Sequence, residues 1–265
     1  MIRFDHVSFG YPGHDILQDL SFQICPGTFT AVIGANGAGK STLLRLIRGL
    51  LKPTAGEIYI EEKPLSGRKI STLAAGVGFL FQNPDRQICR NSMRDELEFS
   101  LASAGIPAAK REAMTAECLN AMDFAPDADP MRMSRGERQR AALASVLVTK
   151  PDLLLLDEPT TGLDYRECTH IMEYIREQNR KGVTVVMVCH DMELVLDYAD
   201  RVLVLEQGGL LADGTPDAIF QNPDILRKAS LLPPQLIGLA QRCGLDIPAA
   251  DPISFADALE KEVRA

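Results

Sequence analysis

Residues 34–42 read Gly-Ala-Asn-Gly-Ala-Gly-Lys-Ser-Thr, and this stretch decides the fold of the chain around it. It matches the phosphate-binding P-loop pattern G-x-x-x-x-G-K-[ST]. The apolar and β-branched residues 29–33 before it predict a strand. The residues after it predict a helix, with apolar side chains at helical spacing: Leu43, Leu44, Ile47, Leu50 and Leu51. Strand, glycine-rich loop and helix is the context that the motif requires, so we expect an α/β nucleotide-binding core.

The residue types of the loop suit a nucleoside triphosphate. Glycines permit backbone conformations and close approaches that a side chain would block, and successive backbone N–H groups then form an anion nest. The helix that follows adds its free N–H groups and the positive end of its dipole. Lys40 can reach the β- and γ-phosphates, and the Ser41 hydroxyl can bind Mg²⁺. The predicted nucleotide-binding residues are Gly34, Asn36, Gly37, Ala38, Gly39, Lys40, Ser41 and Thr42.

A second motif lies at residues 153–158, Leu-Leu-Leu-Leu-Asp-Glu. The leucines predict a strand that is buried on both faces, and this strand would deliver Asp157 to its carboxyl end beside the P-loop. There Asp157 can hold Mg²⁺ directly or through a water molecule. Glu158 can orient and activate a water for in-line attack on the γ-phosphate. An acidic helix start is the alternative, but the P-loop favours the catalytic interpretation.

The third motif lies at residues 133–140, Met-Ser-Arg-Gly-Glu-Arg-Gln-Arg. Ser134 is a good helix N-cap, and Glu137 three residues later completes a capping box. The basic first turn makes this helix end a candidate phosphate site. Because the chain already has a P-loop, the simplest use of residues 134–137 is on the nucleotide of a second subunit. The candidate residues are Ser134, Arg135, Gly136 and Glu137.

The rest of the chain suggests how the core is built. Segments 2–9, 17–24 and 57–60 predict an antiparallel β layer. Between them, the turn at 10–13 carries Tyr11, which can cap a small core or offer its ring to a nucleotide base. Strands are expected again at 77–82, 183–188 and 201–205, with helices at 164–181 and 191–199 and a hairpin turn at 208–209.

Helices are expected between about residues 84 and 150, as an insert into the α/β core. Their apolar positions are Met93, Leu97 and Leu101, and then Ala113, Ala116, Leu119 and Met122. We therefore expect one domain over residues 1–222, with this helical subdomain inserted, and a C-terminal helical extension over residues 223–265.

The extension has two predicted apolar helix faces. One comprises Leu232, Leu236, Leu239, Ala240 and Cys243, and the other Phe255, Ala258, Leu259 and Val263, with Ser254 as N-cap. These faces can pack on their own domain, or they can form a self-association or regulatory surface.

Composition excludes several classes of protein. The chain has 265 residues, 46% hydrophobic and 24% charged, as in a soluble globular protein. Its formal charge of −8 argues against non-specific binding to nucleic acid. No apolar run approaches the ~20 residues that span a bilayer, and the N-terminal residues lack the apolar core of a signal peptide. The six cysteines include no C-x-x-C pair, so we expect reduced thiols. Together with the lack of a spanning run and of a signal-peptide core, this predicts a cytoplasmic protein.

With these motifs in this order, the chain resembles the ATP-binding subunits of ABC transporters over about residues 1–220. The resemblance makes residues 34–42 the Walker A loop, residues 134–137 the signature motif and Asp157-Glu158 the Walker B pair. It further implies that Tyr11 stacks on adenine, that Gln82 contacts Mg²⁺ and the attacking water, that Asp164 belongs to the D-loop and that His190 is the switch histidine. The implied cofactors are ATP and Mg²⁺. The implied metal ligands are Ser41, Gln82 and Asp157, and the implied catalytic residues are Glu158, His190 and Gln82.

Two positions depart from the usual Leu-Ser-Gly-Gly-Gln signature. Met133 replaces the leucine, and Arg135 replaces the first glycine. Since Ser134 and Gly136 remain, nucleotide binding in trans is expected to be retained. Glu158 and His190 are both present, so the site does not have the pattern of a degenerate one.

Within that family, residues 81–85 and 95–99 and the segment around 233–237 resemble the energy-coupling-factor ATPases, which drive uptake of vitamins and cobalt or nickel. That resemblance implies a second ATPase subunit (a second copy or a paralogue), a transmembrane coupling protein and a substrate-binding membrane protein. It places the chain at the cytoplasmic face of the cell membrane, held there by these partners, with no nucleic acid involved. An exporter subunit or a soluble, non-transport ABC ATPase is the alternative.

Overall fold

The computed structural model describes residues 1–68 and 76–244 of the chain. The strands in chain order are β1 Ile2–Tyr11, β2 His14–Ile24, β3 Phe29–Gly34, β4 Ala55–Ile60, β5 Lys63–Pro64, β6 Val77–Leu80, β7 Leu153–Asp157, β8 Thr184–Val188, β9 Arg201–Glu206 and β10 Gly209–Gly214. They form two sheets, a six-stranded sheet in the order β10-β9-β3-β8-β7-β6 and a four-stranded sheet in the order β2-β1-β4-β5. This is the α/β fold with an antiparallel β layer that the sequence predicts.

The six-stranded sheet is parallel from β9 to β6, and only β10 pairs antiparallel with its neighbour β9. Its central strands are buried on both faces, because side chains of β3, β7 and β8 alternate between two apolar clusters. In β7, for example, Leu154 and Leu156 join the helices on one face, while Leu153 and Leu155 meet the β layer and the P-loop helix on the other. This arrangement explains the continuous apolar run before Asp157.

Strand β1 of the β layer contains a bulge that sequence alternation alone does not reveal. The sequence pattern groups His6 with Ile2 and Phe4, but His6 has φ 52° and the register shifts by one residue between Phe4 and Val7. The extra residue changes the phase of the strand. Val7 and Phe9 are therefore buried instead.

The helices are α1 Lys40–Ile47, α2 Met93–Ser103, α3 Ala108–Met122, α4 Arg135–Leu147, α5 Tyr165–Arg180, α6 Met192–Tyr198, α7 Pro216–Phe220, α8 Pro223–Lys228 and α9 Gln235–Cys243. Helix α1 is shorter than the apolar spacing suggests, because the chain turns at Gly49 with φ 76°. Leu50 and Leu51 therefore lie beyond the helix, and Leu50 is exposed. Among the described residues, no helix is long and apolar enough to cross a membrane.

Helices α2, α3 and α4 form the helical insert between β6 and β7. Met93, Leu97 and Leu101 of α2 are buried as expected. The buried face of α3 differs from the expected one, since Thr115, Leu119 and Met122 point inward while Ala113 and Ala116 are exposed. The packing of α3 against α2 and α4 thus rotates the helix away from the face that its alanines suggest.

The described part of the C-terminal extension packs on its own domain. In α9 the buried side chains are Ile237 and Ala240, and Ile237 belongs to the main core. The expected apolar face is confirmed only at Ala240, and at Leu236 in part. It is wrong at the other three positions, because Leu232 is 80% exposed, Leu239 is 46% exposed and Cys243 is exposed. The second predicted face, with Phe255 and Val263, lies outside the described residues.

Candidate functional site

Four neighbouring strands bring the predicted site together. In the sheet, β3, β8, β7 and β6 lie side by side and parallel. Their carboxyl ends therefore meet at one edge, where ligands of open parallel sheets bind. The P-loop follows β3, His190 follows β8, Asp157 and Glu158 close β7, and Gln82 lies two residues beyond β6. Sequence positions 34 to 190 thus converge on one edge of the sheet.

The P-loop fits tightly against its neighbouring strand. Gly34 has φ 146°, and a Cβ at this position would come within 2.1 Å of the Leu205 carbonyl oxygen in β9. Gly37 and Gly39 also have positive φ, 83° and 97°. All three glycines thus have a positive φ that other residues rarely adopt, and Gly34 also makes a close approach to β9, so each has a steric reason to lack a side chain.

Lys40 lies inside this loop and is only 6% exposed. Its ammonium donates to the carbonyl oxygens of Gly34 at 2.8 Å and Ala35 at 2.9 Å. Burial lowers the pKa of Lys40, and the nearby carboxylates of Glu158 and Asp157 oppose that shift. The lysine therefore points into the loop as a largely desolvated cation, which favours an anionic ligand.

Ser41 and Asp157 form an oxygen pair at the end of β7. The Ser41 hydroxyl donates to Asp157 Oδ1 at 2.9 Å, and Asp157 is 5% exposed. Burial raises the pKa of Asp157, the Ser41 hydrogen bond lowers it, and Glu158 raises it further. A hydroxyl and a carboxylate are hard oxygen ligands of the kind that Mg²⁺ prefers, with waters and phosphates completing its octahedron. The residues present therefore fit Mg²⁺.

Among residues 1–68 and 76–244, no group of three or more His, Cys, Asp or Glu side chains is placed to bind a metal ion.

Glu158 is held by three side chains from three segments. Its Oε2 accepts from Gln82 Nε2 at 2.7 Å and from the Thr161 hydroxyl at 2.9 Å, and its Oε1 lies 2.9 Å from His190 Nε2. The backbone of Glu158 has φ 51°, and its N–H donates to the Val188 carbonyl at 3.1 Å. A non-glycine residue in this conformation is strained, and such strain clusters at functional sites.

Glu158 and His190 face an open cleft of about 500 Å³. The Glu158 side chain is 15% exposed and that of His190 is 40% exposed. The carboxylate is therefore fixed in direction by its three partners, while one side of the pair faces this cleft, whose lining includes no residue of the P-loop.

Cys189, the residue before His190, is not a nucleophile candidate. Cys189 is buried, and burial raises its pKa to about 12. The thiolate is the reactive form of cysteine, so the adjacent Cys189 and His190 do not form a nucleophile–base pair.

Residues 134–137 form the expected helix start. The Ser134 hydroxyl accepts from the Glu137 N–H at 3.2 Å, and the Glu137 carboxylate accepts from the Ser134 N–H at 2.8 Å. This confirms the predicted capping box. Within the described part of the chain, no hydrogen bond joins these residues directly to the P-loop; Arg135 instead donates to the Thr161 carbonyl at 3.0 Å. The motif thus begins helix α4 outside the cluster around Glu158.

Two further predicted residues lie outside that cluster. Tyr11 ends β1, is 50% exposed, and packs edge-to-face on Phe9 with ring centroids 5.2 Å apart. Its ring thus packs on the core at one edge and is exposed enough for stacking on a base. Asp164 is the N-cap of α5, where its carboxylate accepts from the Glu167 N–H at 2.8 Å. A role for Asp164 across a subunit boundary stays a prediction.

Thr161 and Glu167 were not among the residues that the sequence predicts for the site. The Thr161 hydroxyl donates to the Glu158 carboxylate, and a hydroxyl three residues after Glu158 was a local signal for this contact. Glu167 completes a capping box with Asp164. The spacing Asp164-x-x-Glu167 is the same pattern that identified the start of α4.

Comparisons with known proteins agree with this geometry. The family model described as "ABC transporter" matches residues 17–161. An energy-coupling factor transporter ATP-binding protein EcfA from Methanothermobacter thermautotrophicus is 38% identical over 247 residues, covering 91% of this chain and 79% of that protein. Two putative ABC transporter ATP-binding proteins from Methanosarcina acetivorans and Methanosarcina mazei are each 41% identical over 241 residues. The chain spans only 39% and 41% of the length of those two relatives.

Solved structures show the same fold. The CbiO1 protein of Clostridium perfringens, described as part of the ABC transporter complex CbiONQ, superposes with a TM-score of 0.77 at 31% identity, covering 91% of this chain and 98% of that one. A dimeric ATP-binding cassette in a post-hydrolysis state, bound to ADP and Pi, has a TM-score of 0.72 at 27% identity and covers 82% of this chain and 99% of that one.

Proposed function

This chain belongs to the ABC transporter family of ATPases, and we propose that it binds and hydrolyses ATP to power the transport of a solute across a membrane. The observation that carries the proposal is the Glu158 carboxylate. It is held by Gln82, Thr161 and His190 next to the Lys40, Ser41 and Asp157 cluster. Phosphate-binding groups and an oriented base at one sheet edge are the parts that phosphoryl transfer to water needs.

In this mechanism the residues of the chain bind the triphosphate, orient a water molecule and accept its proton. The loop N–H groups and the buried Lys40 ammonium bind the triphosphate, with Lys40 exchanging its carbonyl partners for phosphate oxygens. Bound through Ser41 and Asp157, Mg²⁺ would neutralise charge on the β- and γ-phosphates. Glu158 orients a water and accepts its proton, while Gln82 and His190 keep the carboxylate aimed at that water. We assign the stacking of adenine to Tyr11.

We assign residues 134–137 to the nucleotide of a second subunit. In the described chain these residues lie outside the cluster around Glu158, and Ser134 and Glu137 are exposed. A helix N-terminus with free N–H groups and a capping hydroxyl is suited to an anion. Two subunits arranged head to tail would place it opposite the partner's P-loop, closing two ATP sites. The second subunit can be a copy of this chain or a paralogue.

The energy-coupling-factor type of importer is the proposed transport system, with a vitamin or a transition-metal ion as cargo. EcfA is 38% identical, and CbiO1, a part of the CbiONQ complex, has the same fold. The partners would then be a transmembrane coupling protein and a substrate-binding membrane protein, and the chain would work at the cytoplasmic face of the membrane.

A groove between the helical insert and the sheet core is the proposed contact with the coupling protein. It has a volume of about 280 Å³, and its lining includes Phe81, Phe99 and Arg48. Phe99 is 39% exposed, with the Arg90 guanidinium 4.3 Å from the centre of its ring. Because Phe81 directly precedes Gln82, movement in this groove would reach the amide that holds Glu158.

A Glu158→Gln variant tests the chemistry. Glutamine keeps the shape of the side chain but cannot accept a proton from water, so we expect kcat for phosphate release to fall at least about 10²-fold while ATP still binds. The variant should accumulate as an ATP-bound dimer, detected by light scattering on a sizing column. Turnover at the wild-type rate would show that Glu158 is not the base.

Affinity capture from detergent-solubilised native membranes tests the transport role, with the wild-type chain as bait and mass spectrometry of what it binds. Recovery of a coupling protein together with a small substrate-binding membrane protein would support the importer. Recovery of a transporter with a different membrane architecture would point to an exporter, and recovery of soluble partners only would contradict a transport role while leaving the ATPase chemistry intact.

A further inference from the structure

Arg135 occupies the position where the signature motif usually has glycine, and its side chain contacts the loop that follows Glu158. Its Nη2 donates to the Thr161 carbonyl at 3.0 Å. It also lies against Gly162, where a Cβ would come within 2.7 Å of Arg135 Cζ. A glycine at position 135 has no side chain and could make neither contact, so this link is particular to a chain with a long donor there.

Gly162 is matched to this arginine. It has φ 77°, a backbone conformation that side chains other than glycine rarely adopt. Its missing side chain leaves the space that the planar guanidinium fills. The donor and the residue that makes room for it therefore belong to one packing arrangement.

Thr161 connects this contact to the catalytic carboxylate. Its carbonyl accepts from Arg135, and its hydroxyl donates to Glu158 Oε2 at 2.9 Å. Its backbone N–H also donates to the Glu158 carbonyl at 3.3 Å. A shift of Arg135 would move Thr161, and Thr161 is one of three side chains that aim Glu158.

A second contact links the same two segments. A Cβ on Gly136 would come within 1.8 Å of Glu167 Oε1, so the start of α4 packs directly on the first turn of α5. Glu167 is itself fixed by its capping box with Asp164. The start of α4 therefore contacts residues 161–167 at two consecutive positions, Arg135 and Gly136.

We infer that Arg135 is a positioning residue that transmits the state of one ATP site to the other. This rests on the proposed head-to-tail dimer, in which residues 134–137 bind the partner's nucleotide. When they engage that nucleotide, the Arg135 contact to Thr161 and Gly162 sets the position of Thr161 and hence the aim of Glu158 in the subunit's own site. Arginine suits this task because its planar fork holds a direction, whereas lysine offers a flexible point donor.

In the isolated subunit the contact is exposed, so solvent weakens it. A partner subunit that covers the signature motif would remove that water and strengthen the hydrogen bond. The effect of Arg135 is therefore expected in the cooperative, two-site reaction and not in the binding of the first ATP.

The test compares Arg135→Ala, Arg135→Lys and a control, Arg132→Ala. Arg132 lies three residues earlier and pairs with Asp129 at 3.3 Å, so its removal takes away the same charge without touching residues 161–162. For Arg135→Ala we expect kcat to fall about fivefold to tenfold, as for loss of one hydrogen bond that solvent weakens. The Hill coefficient for ATP should fall towards 1, while the dissociation constant for the first ATP stays within about twofold of wild type. Arg135→Lys should recover part of kcat.

Hydrogen exchange of the nucleotide-free proteins gives a readout that does not depend on hydrolysis. The Thr161 and Leu163 amides, which donate to the Glu158 and Thr160 carbonyls, should exchange about threefold faster in Arg135→Ala and unchanged in Arg132→Ala. If exchange were faster in Arg135→Ala but the wild type did not hydrolyse ATP, the proposed function would be refuted, while the contact of Arg135 with Thr161 and Gly162 would be supported. Unchanged kcat, Hill coefficient and exchange in Arg135→Ala, with an active wild type, would overturn the inference and leave the function.

Discussion

At the scale of single residues, Asp157 shows how a functional charge opposes stability. Burial raises the pKa of Asp157 above the ordinary value of an aspartate, so the folded chain holds this proton more tightly than the unfolded chain. The contribution of Asp157 to the free energy of unfolding therefore decreases as the pH rises from the pKa of the unfolded chain through the higher pKa of the folded chain. At neutral pH the charged Asp157 destabilises the fold in full. Asparagine keeps an acceptor for the Ser41 hydroxyl but carries no charge.

We therefore expect Asp157→Asn to raise Tm at pH 7 by roughly 2–4 °C. The difference in Tm between the variant and the wild type should narrow as the pH falls towards the pKa of Asp157 in the unfolded chain. The same change should lower Mg²⁺-dependent ATP turnover by about 10²-fold, because an amide binds the metal poorly. Calorimetry and phosphate release measure the two effects. Asp152→Asn, at an exposed position just before the same strand, is the control, and equal Tm changes in both variants would contradict the burial argument.

At the scale of elements, the position of the P-loop depends on how closely it approaches β9. The clash of a Cβ at Gly34 would be with a backbone carbonyl of a paired strand, which cannot rotate away as a side chain can. We expect Gly34→Ala to lower the free energy of unfolding by about 3 kcal/mol and to weaken ATP binding. Urea unfolding and ATP titration test both.

Gly105→Ala separates backbone strain from this clash. Gly105 has φ 78°, but a Cβ there would have no heavy atom within 4 Å. Gly105→Ala should lower the free energy of unfolding by only about 1 kcal/mol, because a side chain disfavours positive φ. If Gly105→Ala were as destabilising as Gly34→Ala, the close approach to Leu205 would not be the reason for the glycine.

At the scale of the whole molecule, the groove between the helical insert and the core can be separated from the catalytic edge. Phe99 lines the groove and not the cluster around Glu158. We expect Phe99→Ala to reduce recovery of membrane partners about tenfold, as loss of an aromatic anchor does, with ATP hydrolysis by the free chain unchanged. Quantitative mass spectrometry of captured complexes measures the first effect and phosphate release the second.

Met131→Ala is the matched control, since Met131 is an apolar side chain of the same insert that is 48% exposed and does not line the groove. Its partner recovery should equal that of wild type. Equal loss in both variants would indicate a general effect on the insert, and no loss for Phe99→Ala would argue against the groove as the contact.

Much of this molecule could be predicted from local patterns, because the patterns have local causes. The P-loop, the buried strand before Asp157 and the capping box of Ser134 and Glu137 depend on neighbours within a few residues. Predictions of buried faces were wrong where the face depends on packing against distant parts of the chain. The bulge at His6, the rotated face of α3 and the buried face of α9 are set by the surfaces against which these elements pack.

The sequence by itself determined the α/β class, the phosphate-binding loop and the identity of the acidic and basic residues that make up the site. Only the tertiary structure decided their partners. Gln82, Thr161 and His190 meet at Glu158 because β6, β7 and β8 lie side by side. Arg135 reaches Thr161 because the first turn of α4 lies against the first turn of α5. Strand order and helix packing bring together residues far apart in the chain, and no spacing along a sequence encodes such distances directly.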